Sequence, residues 1–389
     1  MKNILIAIRS IFKKGRHNVM KIVSLGIGLA VGLVLIAKVY FEQSYDDFYP
    51  DRDRVYQVWA KYQQKGGELK DYPQTSGGIA PTMQQQIPEI ETVTRYTSFG
   101  DWTFTMTDTK MKYSGRCIIA DSCFFDILPR PMLIGNAKEV LSTPMYVLIS
   151  SRIAKNIGGD VIGKNFTVDN SPGRTMTIGG VFEEVPENSH SRYDVIVSMA
   201  SAGRFMWEGS PTNMLGNDRY ISYVKLHKGV NPLALEEQVR TFVNSYFPPE
   251  EQQKVGLSID FSFHKLDNLH KELPQVKRMT WILSLLAFAL IFTAVMNYIL
   301  IVISSIVNRS KEVAVHKCYG ASENNIHGMM FGEALVHIVL SLILALLLIL
   351  AFRGTVEELL ATSLDSLLLS NGSLVLLGIC ILSLIHISE

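Results

Sequence analysis

Little in this chain is equipped for chemistry. Four cysteines stand in 389 residues, at Cys117, Cys123, Cys318 and Cys380, and their spacing fits no zinc or haem signature. Nine histidines occur without an H-E-x-x-H pair, and His264 with His270 is too loose a pair to imply a metal. There is no G-x-S-x-G elbow to present a nucleophile. No catalytic residue, cofactor or metal is therefore expected. The formal net charge of +1 says little about partners, and no nucleic acid is expected among them.

Charge is also missing locally, and there the absence is informative. From Ile22 to Ala37 no charged residue occurs, and Val39, Tyr40 and Phe41 extend the run past Lys38. About 20 apolar residues in a helix cross the hydrocarbon core of a bilayer. No small-residue cleavage site follows, because the run meets Glu42-Gln43-Ser44-Tyr45-Asp46-Asp47, so a retained helix is expected rather than a signal peptide. Further runs extend from about Met279 to Val307 and from about Met329 to Phe352, and a last one starts near Leu367. The expected fold is an α-helical membrane protein of four transmembrane helices, the last incomplete, with a large inserted α+β extracytoplasmic domain in two lobes.

Lys and Arg near the helix ends set the orientation. Lys2, Arg9, Lys13, Lys14, Arg16 and Lys21 precede the first helix without an Asp or Glu, which keeps the N-terminus cytoplasmic. The expected order is a basic cytoplasmic segment (1–21), helix 1 (22–41), the exported domain (42–278), helix 2 (279–307), a cytoplasmic loop (308–327), helix 3 (328–352), an outer loop (353–366) and helix 4 (367–389). Only Cys117 and Cys123 then lie together in the exported domain, where a disulfide and two buried thiols are both open. The first three helices are read as free of intramembrane Asp and Glu, so an ion-coupled pathway is not expected.

Inside the exported domain, Arg54-Val55-Tyr56-Gln57-Val58-Trp59 alternates like a half-buried strand. Arg174-Thr175-Met176-Thr177-Ile178 does so again after the turn residues Asp169-Asn170-Ser171-Pro172-Gly173. Pro81 can open a helix that ends before Pro88, and Asn231-Pro232 caps a helix expected to bury Leu235, Val239, Phe242 and Tyr246. Gly158-Gly159-Asp160-Val161-Ile162-Gly163-Lys164-Asn165 comes within one residue of a phosphate-binding P-loop. It lacks the Ser or Thr that would hold Mg²⁺, and Phe166-Thr167-Val168 reads as a strand where a helix is required. A glycine turn is expected instead. In helix 1, Gly28 and Gly32 have the G-x-x-x-G spacing that lets two helices approach closely.

Several stretches together resemble the permease subunits of MacB/FtsX-type ABC transporters, particularly those of Bacteroidetes. They run from Tyr45-Asp46-Asp47-Phe48-Tyr49-Pro50 through Phe124-Phe125-Asp126-Ile127-Leu128 and Ile162-Gly163-Lys164 to Gly179-Gly180-Val181-Phe182-Glu183-Glu184-Val185-Pro186-Glu187-Asn188-Ser189-His190. The most specific is Arg309-Ser310-Lys311-Glu312-Val313-Ala314-Val315-His316-Lys317-Cys318-Tyr319-Gly320-Ala321-Ser322, similar to the family's cytoplasmic coupling segment. The resemblance implies a MacB-type periplasmic core domain, an FtsX-like permease region over about 279–389, and a multi-pass protein of the bacterial inner membrane. It implies that Arg309, Lys311, Glu312, Lys317 and Gly320 dock a separate ABC-type ATPase subunit. Further implied partners are a second permease copy or homologous half, a periplasmic adaptor or outer-membrane component, and membrane lipids. The family's fourth helix continues into a basic tail, whereas Leu374 to Ile387 is too short to span and ends at Ser388-Glu389, so a truncated C-terminus is expected. The alternative is a membrane receptor with an extracytoplasmic ligand-binding domain, although such a receptor normally carries a large cytoplasmic output domain.

Overall fold

The computed structural model describes residues 18–169, 171–308, 314–315, 318–319 and 323–368. The chain divides into two units, Tyr45–Leu269 and the flanking segments Met1–Ser44 with His270–Glu389. The flanking unit opens with the long helix α1 (Asn18–Gln43), which begins in the basic segment and runs through the whole first apolar stretch.

The inserted unit is α+β. Its strands are β1 (Val55–Gln64), β2 (Leu69–Tyr72), β3 (Ile90–Met106), β4 (Lys112–Ala120), β5 (Met132–Ile134), β6 (Tyr146–Ser150), β7 (Asn165–Val168), β8 (Ser171–Phe182), β9 (Val195–Ser198), β10 (Ile221–Leu226) and β11 (Leu257–Lys265). They form one sheet in the order β11-β1-β10-β3-β4-β9-β6-β8-β5, with β2 on β1 and β7 between β3 and β8. Its helices are α2 (Ile79–Gln86), α3 (Phe124–Ile127), α4 (Ala137–Ser142), α5 (Ser151–Ile157), α6 (Ala202–Phe205), α7 (Glu236–Tyr246) and α8 (Pro249–Val255).

The sheet's central strands are buried on both faces, which their continuous apolar runs require. Cys117 and Ile119, Val147 and Ile149, and Val195 and Val197 enter one core with Phe104, Phe166 and Met176. Their neighbours Ile118, Leu148 and Ile196 enter another on the opposite face, with Tyr96, Phe124, Phe182 and Tyr223. A third core joins Val58, Val93, Val224 and Phe261 to α2 and α7 through Ile79, Met83, Val239 and Phe242. Strand β3 serves more than one core because it bends: the register with β4 slips between Ser98 and Gly100, and Gly100 has φ 75°. A glycine bulge of this kind re-aims a long strand, and the last residues of β3 then pair with β7.

The alternating segments are strands, the first as β1 from Val55 on and the second inside β8. Helix α2 starts two residues before Pro81 and ends ahead of Pro88. Asn231 caps as expected by accepting from the Leu233 N–H, but Pro232–Leu235 is a 3₁₀ turn and the α-helix begins at Glu236. Leu235, Val239 and Phe242 are buried as expected, with Val243 beside them on the same helix face, whereas Tyr246, the last helical residue and expected inside, is exposed.

In the flanking unit, helix α9 (Pro274–Asn308) starts at a proline five residues ahead of the apolar run. At 35 residues it is longer than the roughly 20 that a bilayer needs. It is followed by α10 (Glu323–Ala351), α11 (Arg353–Leu360) and α12 (Leu364–Leu368). The segment expected as an outer loop is thus helical, broken at Ala361 with φ 48° and tied by Arg353 to Glu357 at 3.0 Å and Asp365 at 2.9 Å. Among the described residues three helices are long and apolar enough to cross a membrane, over Asn18–Gln43, Pro274–Ser304 and Phe331–Ala351. The fourth expected span lies, past Leu368, outside the described residues.

Candidate functional site

The ATPase-docking residues expected from sequence, Arg309, Lys311, Glu312, Lys317 and Gly320, lie outside the described residues. Helix α1 packs along both α9 and α10, with Leu25, Leu29, Leu33, Ala294, Tyr298, Ile338, Ala345 and Ile349 in one core. A β-carbon at Gly28 would collide with that of Ala294, and one at Gly32 would stand 2.5 Å from Ile291 Cγ1. The glycine face of α1 is thus occupied by α9 of the same chain. Gly26, which lies outside the G-x-x-x-G pair, faces α10: its β-carbon would sit 2.9 Å from Leu344 Cδ2 and 3.2 Å from the Ser341 carbonyl.

Close to where the chain leaves for the inserted unit and returns from it, a polar junction is built from three segments. Lys38 pairs with Glu42 one turn on, at 2.7 Å, and donates to Thr362 Oγ1 at 2.8 Å. Glu42 also pairs with His270, and Gln43 donates to Thr280 Oγ1 at 3.4 Å. Lys38 and Glu42 are buried at 7% and 6% exposure, so each depends on the other for its charge. Sequence reasoning missed this site. Its only local signal was the i,i+4 spacing of Lys38 and Glu42, since His270 lies 228 residues away. His264 serves elsewhere, with its ring 4.2 Å from that of Trp59.

The expectation that the first three spans hold no acid is wrong. Glu333 lies inside the third apolar helix and is buried there, with His337 one turn on and Ser341 a turn beyond. At i, i+4 and i+8 the three share a helix face. Ser341 Oγ donates to the Ile22 carbonyl of α1 at 3.1 Å, and the His337 ring meets that of Tyr298 of α9 edge-on at 6.2 Å. The polar stripe therefore faces the bundle, as ionisable groups in membrane helices generally do.

The P-loop-like segment is a turn. Gly158, Gly159 and Gly163 all have positive φ, the segment follows the end of α5, and it leads into β7 rather than a helix. Lys164 is 3.8 Å from Asp108. Cys117, Cys123 and Cys318 are free thiols; the first is buried, and Cys123 donates to the Val93 carbonyl.

Two families match the chain. The MacB-like periplasmic core domain covers residues 20–242, more than half of the sequence, and the FtsX-like permease C-terminal region covers residues 284–388. No curated protein matches. Among solved structures, a domain of a protein assigned as a permease from Porphyromonas gingivalis is 33% identical, with a TM-score of 0.51, over 56% of this chain and 91% of that one. The periplasmic region of MacB from Actinobacillus actinomycetemcomitans is 16% identical, with a TM-score of 0.38, over 56% of this chain and 91% of that one. With an inserted α+β unit, three long apolar helices and both domain families in order, the chain belongs to the MacB/FtsX-type ABC transporter permeases.

Proposed function

We propose that this chain is the membrane subunit that passes ATP-driven motion from a separate cytoplasmic ATPase to a periplasmic domain, for export or extrusion of cargo. The observation that carries the reading is the presence of both families on one chain, the MacB-like domain ahead of the FtsX-like region. In this reading the N-terminus is cytoplasmic, the unit between α1 and α9 is a two-lobed domain in the periplasm, and the protein crosses the inner membrane four times. Residues Arg309 to Gly320 form the ATPase contact. A second permease copy completes the membrane part, and an adaptor or outer-membrane component meets the periplasmic domain.

The residues around the unit boundaries fit a transmission role. Helix α1 is held closely by α9 at Gly28 and Gly32, and the Lys38–Glu42–His270 junction ties together the two strands of chain that enter and leave the inserted unit. Linked in this way, the two connections would move together. The FtsX-like match over α9 and α10 favours the permease over the receptor alternative. The test is co-purification of the tagged full chain in detergent with candidate ABC ATPase subunits, starting with any encoded beside it. Stable capture of one ATPase, whose hydrolysis rate changes on binding, is expected. Capture of none, or capture of a histidine kinase instead, would overturn the assignment.

A further inference from the structure

In the inserted unit, four arginines, Arg116, Arg130, Arg152 and Arg192, line a cleft of ≈ 310 Å³ together with Asp101, Glu184 and Asp194. The cations are not equivalent. Arg152 is neutralised in place, 3.4 Å from Glu184 and hydrogen-bonded through Nη2 to Asp194. Asp194 also accepts from the Arg116 backbone N–H at 2.9 Å. Asp101 is exposed and stands opposite Arg116 in the register of β3 and β4. Arg192 is exposed.

Arg130 differs from all of these. It sits between Pro129 and Pro131 and is only 6% exposed, although it lines the cleft. Its guanidinium lies 5.1 Å from the centroid of the Phe182 ring, 5.8 Å from that of Phe125 and 6.0 Å from that of Tyr193. Aromatic rings attract a cation through their faces, whereas the N–H bonds of a guanidinium point outward in its plane. Among the described residues, Nε and Nη2 have no hydrogen-bond partner and no carboxylate pairs with them. Burial opposes the charge and pulls the Arg130 pKa below the ordinary arginine value, while the Tyr49 and Tyr193 hydroxyls offset this only in part. A buried cation left in this way is costly unless an anion joins it. Nε and Nη2 form the side of a guanidinium that takes two oxygens of one carboxylate or phosphate at once.

We propose that this cleft binds an oxyanion, the phosphate or carboxylate group of a ligand, with Arg130 as its bidentate fork and Arg192 as a second, exposed cation. The cleft volume is at the lower end of the range for small-molecule sites, so the oxyanion can belong to a larger molecule such as a lipid headgroup. In the test, the full chain in phosphatidylcholine nanodiscs is titrated by calorimetry with inorganic phosphate and with acetate. In a separate arm it is mixed with phosphatidylcholine vesicles with or without phosphatidylglycerol. Arg130→Lys keeps the charge but loses the fork, and should weaken binding about tenfold or more, the loss of one charge-assisted hydrogen bond. Arg192→Gln, at an exposed position, should fold normally and weaken binding less. Binding of a free anion, or of phosphatidylglycerol vesicles alone, upholds the proposal and identifies the source. No binding of any of these probes overturns it, as does binding unchanged by Arg130→Lys. Should that variant fail to fold, unchanged binding by Arg192→Gln overturns it.

Discussion

Glu42 is a buried carboxylate between the Lys38 ammonium and the His270 ring, and its removal would leave Lys38 buried without its counter-charge. Breaking one side of such a pair typically costs about 3 to 5 kcal/mol, whereas replacing both sides by apolar groups is often nearly neutral. Glu42→Ala is expected to lower the thermal midpoint of the full chain in detergent markedly, and Lys38→Leu with Glu42→Leu should recover most of the loss. Equal midpoints for wild type and Glu42→Ala would show that the junction is not under load. In the inserted unit Asp51 provides a pH signature. Its hydrogen bond to Lys225, with Arg54 beside it, holds the carboxyl below the usual aspartate range. The stabilisation is complete above the unfolded pKa of about 3.9 and is lost as pH falls through the lower folded value. Asp51→Asn should therefore destabilise modestly at neutral pH, because the pair is partly solvated, and the difference should vanish in acid. Melts compared from neutral pH down into acid check it, and a difference of undiminished size at the acid end would assign the effect to packing.

At the scale of elements, the close approach of α1 and α9 makes the sharpest prediction. Leucine at both Gly28 and Gly32 would drive side chains into Ala294 and Ile291, separating the helices. The double variant should melt at a lower temperature even as a monomer, and single Ala substitutions should do less. Loss of a dimer with an unchanged monomer melt would instead mean that the glycines face a second copy. Strands β1 and β8 and helix α2 were legible because alternation and proline placement are local patterns. The buried face of α7 was legible too, at Leu235, Val239 and Phe242, but its start was not, because Pro232–Leu235 is a 3₁₀ turn and the α-helix begins at Glu236, and its last residue, Tyr246, is exposed. What the sequence hid is nonlocal. His270 meets Glu42 across 228 residues, and Arg130 looks like an ordinary surface residue until the sheet brings Phe182 and Tyr193 around it. Glu333 was overlooked for a simpler reason: it sits near the edge of an apolar run whose length alone identified the span.

For the whole molecule, the coupling account rests on the segment between α9 and α10, where basic residues surround one acid, Glu312. If Glu312 only pairs with its neighbours on a solvated surface, its loss is worth about 0.3 to 0.5 kcal/mol, whereas breaking a buried charge pair with a partner costs about 2 to 5 kcal/mol. The two roles are therefore well separated in affinity. The deciding measurement is the binding of the cognate ATPase to the full chain in nanodiscs, for the wild type, Glu312→Lys and the control Glu323→Lys. The coupling account predicts that Glu312→Lys leaves the chain folded and inserted but weakens ATPase binding by about thirtyfold or more, with little change for Glu323→Lys. Wild-type ATPase binding by the Glu312→Lys chain, or equal losses in the two variants, would contradict it.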